Sequence, residues 1–242
     1  MNSRQKIPIL MYHSIDHVSK SSVMRSLHVR PQSFRLQMFI LKLLGYQGLS
    51  MRNLHPYITG EKNGKVVGIT FDDGYKNNLV NAGPILKKLN FSSTCYIVSG
   101  EIGNTNIWDK DKGIDQKKLM TKQEIFSWIN DFDQDIGAHS VSHPDFNELN
   151  SQELEQEILG SKIFLEDSFN RDIDDFCYPF GKYHQLALKT VKSAGFKTAT
   201  TMKRGLNNEI YKPLELERIP ITFHTLPHLF IAKILTNYEN NR

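Results

Sequence analysis

Two adjacent carboxylates, Asp72 and Asp73, follow directly on the apolar run of "GITFDDGY" (68–75), and a glycine closes the motif. Like charges side by side repel and push one pKa upward unless a proton or a cation lies between them. A turn would account for Asp-Gly alone, since that pair favours turns. A second short motif changes the balance. "HSVSHP" sets His139 and His143 four residues apart, a standard metal-pair spacing, and Pro144 disfavours helical geometry at His143, so a tight loop is expected. Two imidazoles and one carboxylate would hold a divalent cation and leave a coordination position for water, the arrangement of a catalytic centre. Successive side chains at a strand end point in different directions. One of the two aspartates can therefore bind the ion while the other accepts a proton from water.

These groups need a scaffold that delivers them to one place. Short apolar runs alternate with longer amphipathic ones along the chain. Strands are expected at 7–12, 65–71, 93–98, 135–139, 174–178, 197–201 and 216–221. Helices are expected at about 33–44 (stopped by Gly45), 78–89 (started or kinked by Pro84), 122–130, 150–169, 183–194 (closed by Gly195) and near the C-terminus. Thr121 and Glu124 form a capping box for the third of these, and Leu154, Ile158, Leu165 and Phe169 mark the fourth at helical spacing. The stretch from 99 to Met120 reads as an irregular insertion. Alternation of this kind predicts an α/β chain, a distorted (β/α) barrel of about seven parallel strands, in one domain over residues 1–242. In such barrels the working groups lie where strands end. His13, Asp72 with Asp73, His139, and the Tyr178–Pro179–Phe180–Gly181 segment all fall at predicted strand ends.

Composition narrows the function classes. Of 242 residues, 39% are hydrophobic and 23% charged, which fits a soluble globular protein and not a disordered one. A formal charge of +4 is spread along the chain, and Lys117, Lys118 and Lys122 read as a solvated helix face, so no nucleic-acid partner is expected. Cys95 and Cys177 each sit in an apolar run and read as buried, reduced core residues. No run reaches the ~18 apolar residues of a membrane span. "MNSRQKIPILMYH" has only a short apolar stretch before its histidine and does not read as a signal peptide. The expected location is therefore cytoplasmic.

The motifs at 11–13, 70–75, 139–144 and 177–181 together resemble the NodB-type polysaccharide deacetylases, carbohydrate esterase family 4, over nearly the whole chain. That resemblance implies a NodB-like barrel and a metal-dependent hydrolase that removes N-acetyl groups from an acetamido-sugar glycan or glycan precursor. It implies Asp72 as catalytic base and Asp73, His139 and His143 as ligands of one divalent ion, zinc or else cobalt, nickel or iron. It also implies the backbone N–H of Phe180, with Tyr178 beside it, as oxyanion and substrate contacts. Two departures stand out. Cys177-Tyr178-Pro179-Phe180 occupies the place of Arg-x-Pro-Tyr, and Arg218 of "LERIPI" is expected to supply the missing charge to the base, the alternative being a surface ion pair with Glu215 or Glu217. The C-terminal histidine motif is not recognisable at His224 or His228. "ILMYH" is similar to the circularly permuted poly-N-acetylglucosamine deacetylases, which makes His13 the expected acid instead of a cap on the first strand. Trp108 in the insertion is expected to stack on a sugar ring, or else to pack as an ordinary tryptophan. The alternatives are an O-acetyl esterase or small-amide deacylase on the same scaffold, and an inactive glycan-binding barrel.

Overall fold

The computed structural model describes residues 6–19, 21–207 and 212–240. Residues 1–5, part of the stretch in which no leader was read, lie outside them. Ten strands and eight α-helices follow in the order β1 (Ile9–Tyr12), β2 (Ser14–Ile15), β3 (His28–Val29), α1 (Pro31–Leu43), β4 (Gln47–Leu49), α2 (Met51–Ile58), β5 (Val66–Phe71), α3 (Lys76–Asn81), α4 (Gly83–Leu89), β6 (Thr94–Ile97), α5 (Lys122–Asn130), β7 (Asp135–Ala138), α6 (Ser151–Phe169), β8 (Asp175–Cys177), α7 (Gln185–Ser193), β9 (Thr198–Arg204), β10 (Leu216–Pro220) and α8 (Pro227–Leu235).

Seven strands close a parallel barrel. β1 pairs with β10 on one side (Leu10↔Ile219) and with β5 on the other (Ile9↔Gly68 through Tyr12↔Phe71). β5 to β10 then complete the ring in chain order. β1, β5, β6, β7 and β8 are buried along their whole length, as strands covered on both faces are, whereas β9 is buried over its first four residues and exposes Met202, Lys203 and Arg204. Their helix-facing residues merge with the helices into a core holding Tyr12, Phe34, Phe71, Trp128 and Phe176, while Ile9, Tyr96, Cys177 and Leu216 form a second, smaller cluster with Met51 and Leu54 of α2.

The expected (β/α) barrel of about seven strands is the observed one. Sequence reading left out β4, which pairs with the first half of β5 (Gln47↔Val66), and the helix after it. Both are short, and α2 carries Pro56 in its second turn, so neither shows a usable period. The expected 78–89 helix is two helices, with Pro84 in the first turn of α4, where its missing N–H costs nothing. Lys117 and Lys118 are not on a helix. They precede α5, and the Lys117 ammonium pairs with Asp16 (3.1 Å). Both cysteines are buried free thiols. Among the described residues no helix is long and apolar enough to cross a membrane.

Candidate active site

The C-terminal ends of β1, β5, β7 and β8 converge on a pocket of about 260 Å³, lined by His13, Asp72, Asp73, His139, His143 and Phe180 and walled by Leu27, Trp108 and Met202. A larger groove between α1 and α4, about 970 Å³, offers Arg35 and Lys88 but no acid, imidazole or thiol. It lacks the groups for this chemistry.

Asp72 and Asp73 are both buried, and the chain separates them by turning. Asp73 has φ 73° and Gly74 φ 78°, a left-handed pair that aspartate and glycine tolerate better than other residues. Asp72 faces into the barrel, where Arg218 grips it from below with two hydrogen bonds, Nη1 to Oδ1 at 2.7 Å and Nη2 to Oδ2 at 2.8 Å. Arg218 is fully buried and does not pair with Glu215 or Glu217. A register shift between β9 and β10 occurs at this residue. The carbonyl of Thr201 there accepts from Arg218 Nε (2.9 Å), and Nη2 also lies 3.3 Å from Cys177 Sγ. The small side chain at 177 leaves room for the guanidinium that reaches in from β10. Burial alone would raise the pKa of Asp72, but the charge and hydrogen bonds of Arg218 outweigh it and hold the carboxyl below its ordinary value. His13 lies across the pocket, its Nε2 3.8 Å from Asp72 Oδ2.

Asp73 faces the other way, toward the two imidazoles. Its Oδ1 lies 3.4 Å from His139 Nε2 and 3.6 Å from His143 Nε2. His139 Nδ1 lies 2.8 Å from the Cys177 carbonyl, which can only accept, so Nδ1 carries a proton and Nε2 is the nitrogen turned toward Asp73 and the pocket. The loop between the histidines is tied down by α6. Glu157 accepts from the N–H groups of Val141 (2.8 Å) and Ser142 (2.9 Å), while Ser140 Oγ accepts from His143 N–H (2.9 Å). The His143 ring stacks on Trp108 (centroids 4.6 Å apart, 26°) and meets the edge of Phe180 (4.4 Å, 78°). Burial, then repulsion from His139, pushes its pKa down to about 3, so the ring is neutral at physiological pH.

These donors fit a divalent ion. All three lie within 4.8 Å of one another. The spacings of 3.4 and 3.6 Å are long for hydrogen bonds but close to the roughly 3.3 Å edge of a tetrahedron with bonds of about 2.0–2.1 Å. Nitrogen, nitrogen and carboxylate oxygen suit zinc and its first-row neighbours, and three protein donors leave a fourth position open.

The remaining expected residues divide. Phe180 stands at the rim with φ 54°. Trp108 lines the pocket but spends one face on His143. Tyr178 turns its phenol away, donating to the Leu214 carbonyl (3.1 Å) and stacking on Tyr183, so only its backbone faces the pocket. His224 and His228 are exposed and do not line it. Sequence reading missed Glu157, an acid on a helix among other acids, which gives no local signal of its long-range contacts.

The sequence model of the family described as polysaccharide deacetylase matches residues 59–199. The chain belongs to the polysaccharide deacetylase family. This deacetylase is 30% identical to YxkH of Bacillus subtilis over 219 residues, covering 90% of this chain and 72% of that one. It is 26% identical over 223 residues to the poly-β-1,6-N-acetyl-D-glucosamine N-deacetylase of Staphylococcus aureus, covering 87% and 73%. Among solved structures, the Streptococcus pyogenes deacetylase PplD in complex with acetate superposes with a TM-score of 0.82 at 25% identity, over 96% of this chain and 99% of that one. β1 and β10, which close the barrel, and both His13 and Arg218 lie outside the 59–199 match.

Proposed function

We propose that this deacetylase is a metal-dependent N-deacetylase, working as one domain over residues 1–242, that removes acetyl groups from an acetamido-sugar glycan or its precursor. The observation that carries the reading is the turn at Asp72–Asp73. It aims one carboxylate at two imidazoles and the other at Arg218, so that adjacent acids can do different work.

Asp73, His139 and His143 would hold one divalent ion, zinc by donor type, with cobalt, nickel or iron as substitutes. When bound, the ion supplies a Lewis acid beside the substrate carbonyl and lowers the pKa of water toward about 7. Asp72 takes the proton of the attacking water. Its oxygens keep lone pairs free after accepting from Arg218, and the guanidinium holds the carboxylate ionised and oriented. As the C–O bond forms, negative charge develops on the acetyl oxygen, and the Phe180 N–H would donate to it, a contact typically worth ~3 kcal/mol. His13 Nε2 then delivers a proton to the sugar nitrogen as the C–N bond breaks, releasing acetate and a free amine.

The test is acetate release from N-acetylated glycans and precursors, with chelator and with zinc added back. Activity lost to chelator and restored by zinc is expected. Undiminished release in chelator with no ion retained ends the reading.

A further inference from the structure

We propose that Asn78 is the positioning residue for His13, setting the direction from which a proton reaches the leaving nitrogen. The inference rests on the assignment of His13 as acid. Among the described residues no side chain within hydrogen-bonding distance holds the His13 ring, whose Nε2 lies 3.8 Å from Asp72. Its aim therefore comes from the backbone that carries it. That backbone leaves the barrel ladder just after Tyr12, whose carbonyl accepts from the Asp72 N–H (2.9 Å), and β2 beyond it pairs only with the two-residue β3.

A buried amide does the holding instead. Asn78, on α3 and fully buried, donates from Nδ2 to the His13 carbonyl (2.7 Å) and accepts at Oδ1 from the Ile15 N–H (3.0 Å). One rigid planar group thus spans three residues of the main chain. Its helix neighbours support it, Asn81 Nδ2 donating to the Ile15 carbonyl (2.8 Å) and Asn77 Nδ2 to Ser14 Oγ (2.8 Å). α3 starts three residues after Asp73, and Asn78 N–H bonds the Tyr75 carbonyl at its start. The same helix therefore references base and acid to one frame, although 59 residues separate His13 from Asp72 in the chain. Misplacing a reacting group by ~1 Å can cost about 10²-fold in rate, so these two bonds bear directly on proton delivery.

The test separates proton delivery from folding. Acetate release from a β-1,6-linked N-acetylglucosamine pentasaccharide needs a proton on its amine, whereas hydrolysis of p-nitrophenyl acetate expels a phenolate that needs none. The full-length, zinc-supplemented protein is assayed on both, and the amide-to-ester ratio of kcat is independent of the fraction folded. His13→Ala should lower that ratio about 100-fold or more. Asn78→Ala should lower it at least about tenfold with KM for the pentasaccharide little changed. Asn78→Asp keeps the acceptor for Ile15 and loses the donor to His13, and should also lower the ratio, which decides the matter if the alanine variant does not fold. A ratio within twofold of wild type in the Asn78 variants, alongside collapse in His13→Ala, overturns the positioning role alone. An unchanged ratio in His13→Ala overturns the acid assignment and this inference with it.

Discussion

Asp135 and Asp175 stand at the first residues of β7 and β8, whereas Asp72 and Asp73 follow the last residue of β5, so two buried acid pairs occupy opposite mouths of the barrel. The lower pair sits in regular extended backbone, each carboxylate held by neighbouring side chains. Ser50 Oγ donates to Asp135 Oδ2 (2.6 Å), Arg171 pairs with Oδ1, and Thr198 Oγ1 donates to Asp175 Oδ1 (2.6 Å). At the upper mouth Asp73, Ser140, His143 and Phe180 all have positive φ, and His143 Nδ1 is buried without a partner. Strained backbone and unsatisfied polar atoms cost free energy and persist only where surrounding structure holds them. The lower pair's contacts serve packing alone, whereas the upper mouth keeps strained backbone and an unpaired imidazole nitrogen where groups are poised for chemistry.

This contrast can be broken from either side. Asp73→Asn is expected to have the largest effect. Turnover should fall at least about 10⁴-fold and bound metal should be lost, while stability stays within about 0.5 kcal/mol because asparagine also accepts a left-handed φ. Metal analysis beside urea denaturation checks both halves, and a bound stoichiometric ion would remove Asp73 from the ligand set. Asp72→Asn should keep the metal and lower kcat on the order of 10³-fold. It should also lose about 2 kcal/mol of stability, since Arg218 is left buried without its counter-charge. Metal content, kcat and unfolding midpoint measured together test that combination.

At the lower mouth the expectation reverses. Arg52 Nε also lies 3.7 Å from Asp135 Oδ1, and Asp135→Ala should cost about 2–3 kcal/mol in urea denaturation, discounted for the partial exposure of Arg52 and Arg171, with kcat at saturating substrate within twofold. A large fall in kcat of folded protein would dissolve the contrast. The smallest effect is a pH dependence. Burial, with Asp135 and Asp174 nearby, raises Asp175 from 3.8 to about 7. Below about pH 4 both folded and unfolded chains hold this proton. Between about 4 and 7 only the folded one does, so this group's contribution to stability falls as pH rises through that window. Asp175→Asn should show a flatter profile than wild type between pH 4.5 and 7.5. Parallel profiles would remove Asp175 as the source.

Much of this architecture was legible along the chain. Buried strands and amphipathic helices announce themselves within a window of ten residues, which is why the seven barrel strands could be placed before any contact was known. β4 and α2 escaped because three residues, or eight with a proline, carry no period. The chemistry-bearing motifs were legible for the same local reason: Asp72 beside Asp73, and His139 four from His143, are patterns whose spacing is itself the signal.

What local pattern could not carry was partnership. Arg218 meets Asp72 across 146 residues, Glu157 caps the histidine loop from a helix face that looks merely solvated, and Asn78 brackets His13 from 65 residues further on. Sequence alone determined which residue types stand at the strand ends, because periodicity is written in neighbours. Only closure of the barrel decided which of them meet, because a hydrogen bond of 2.7 Å depends on where every intervening strand and helix has packed.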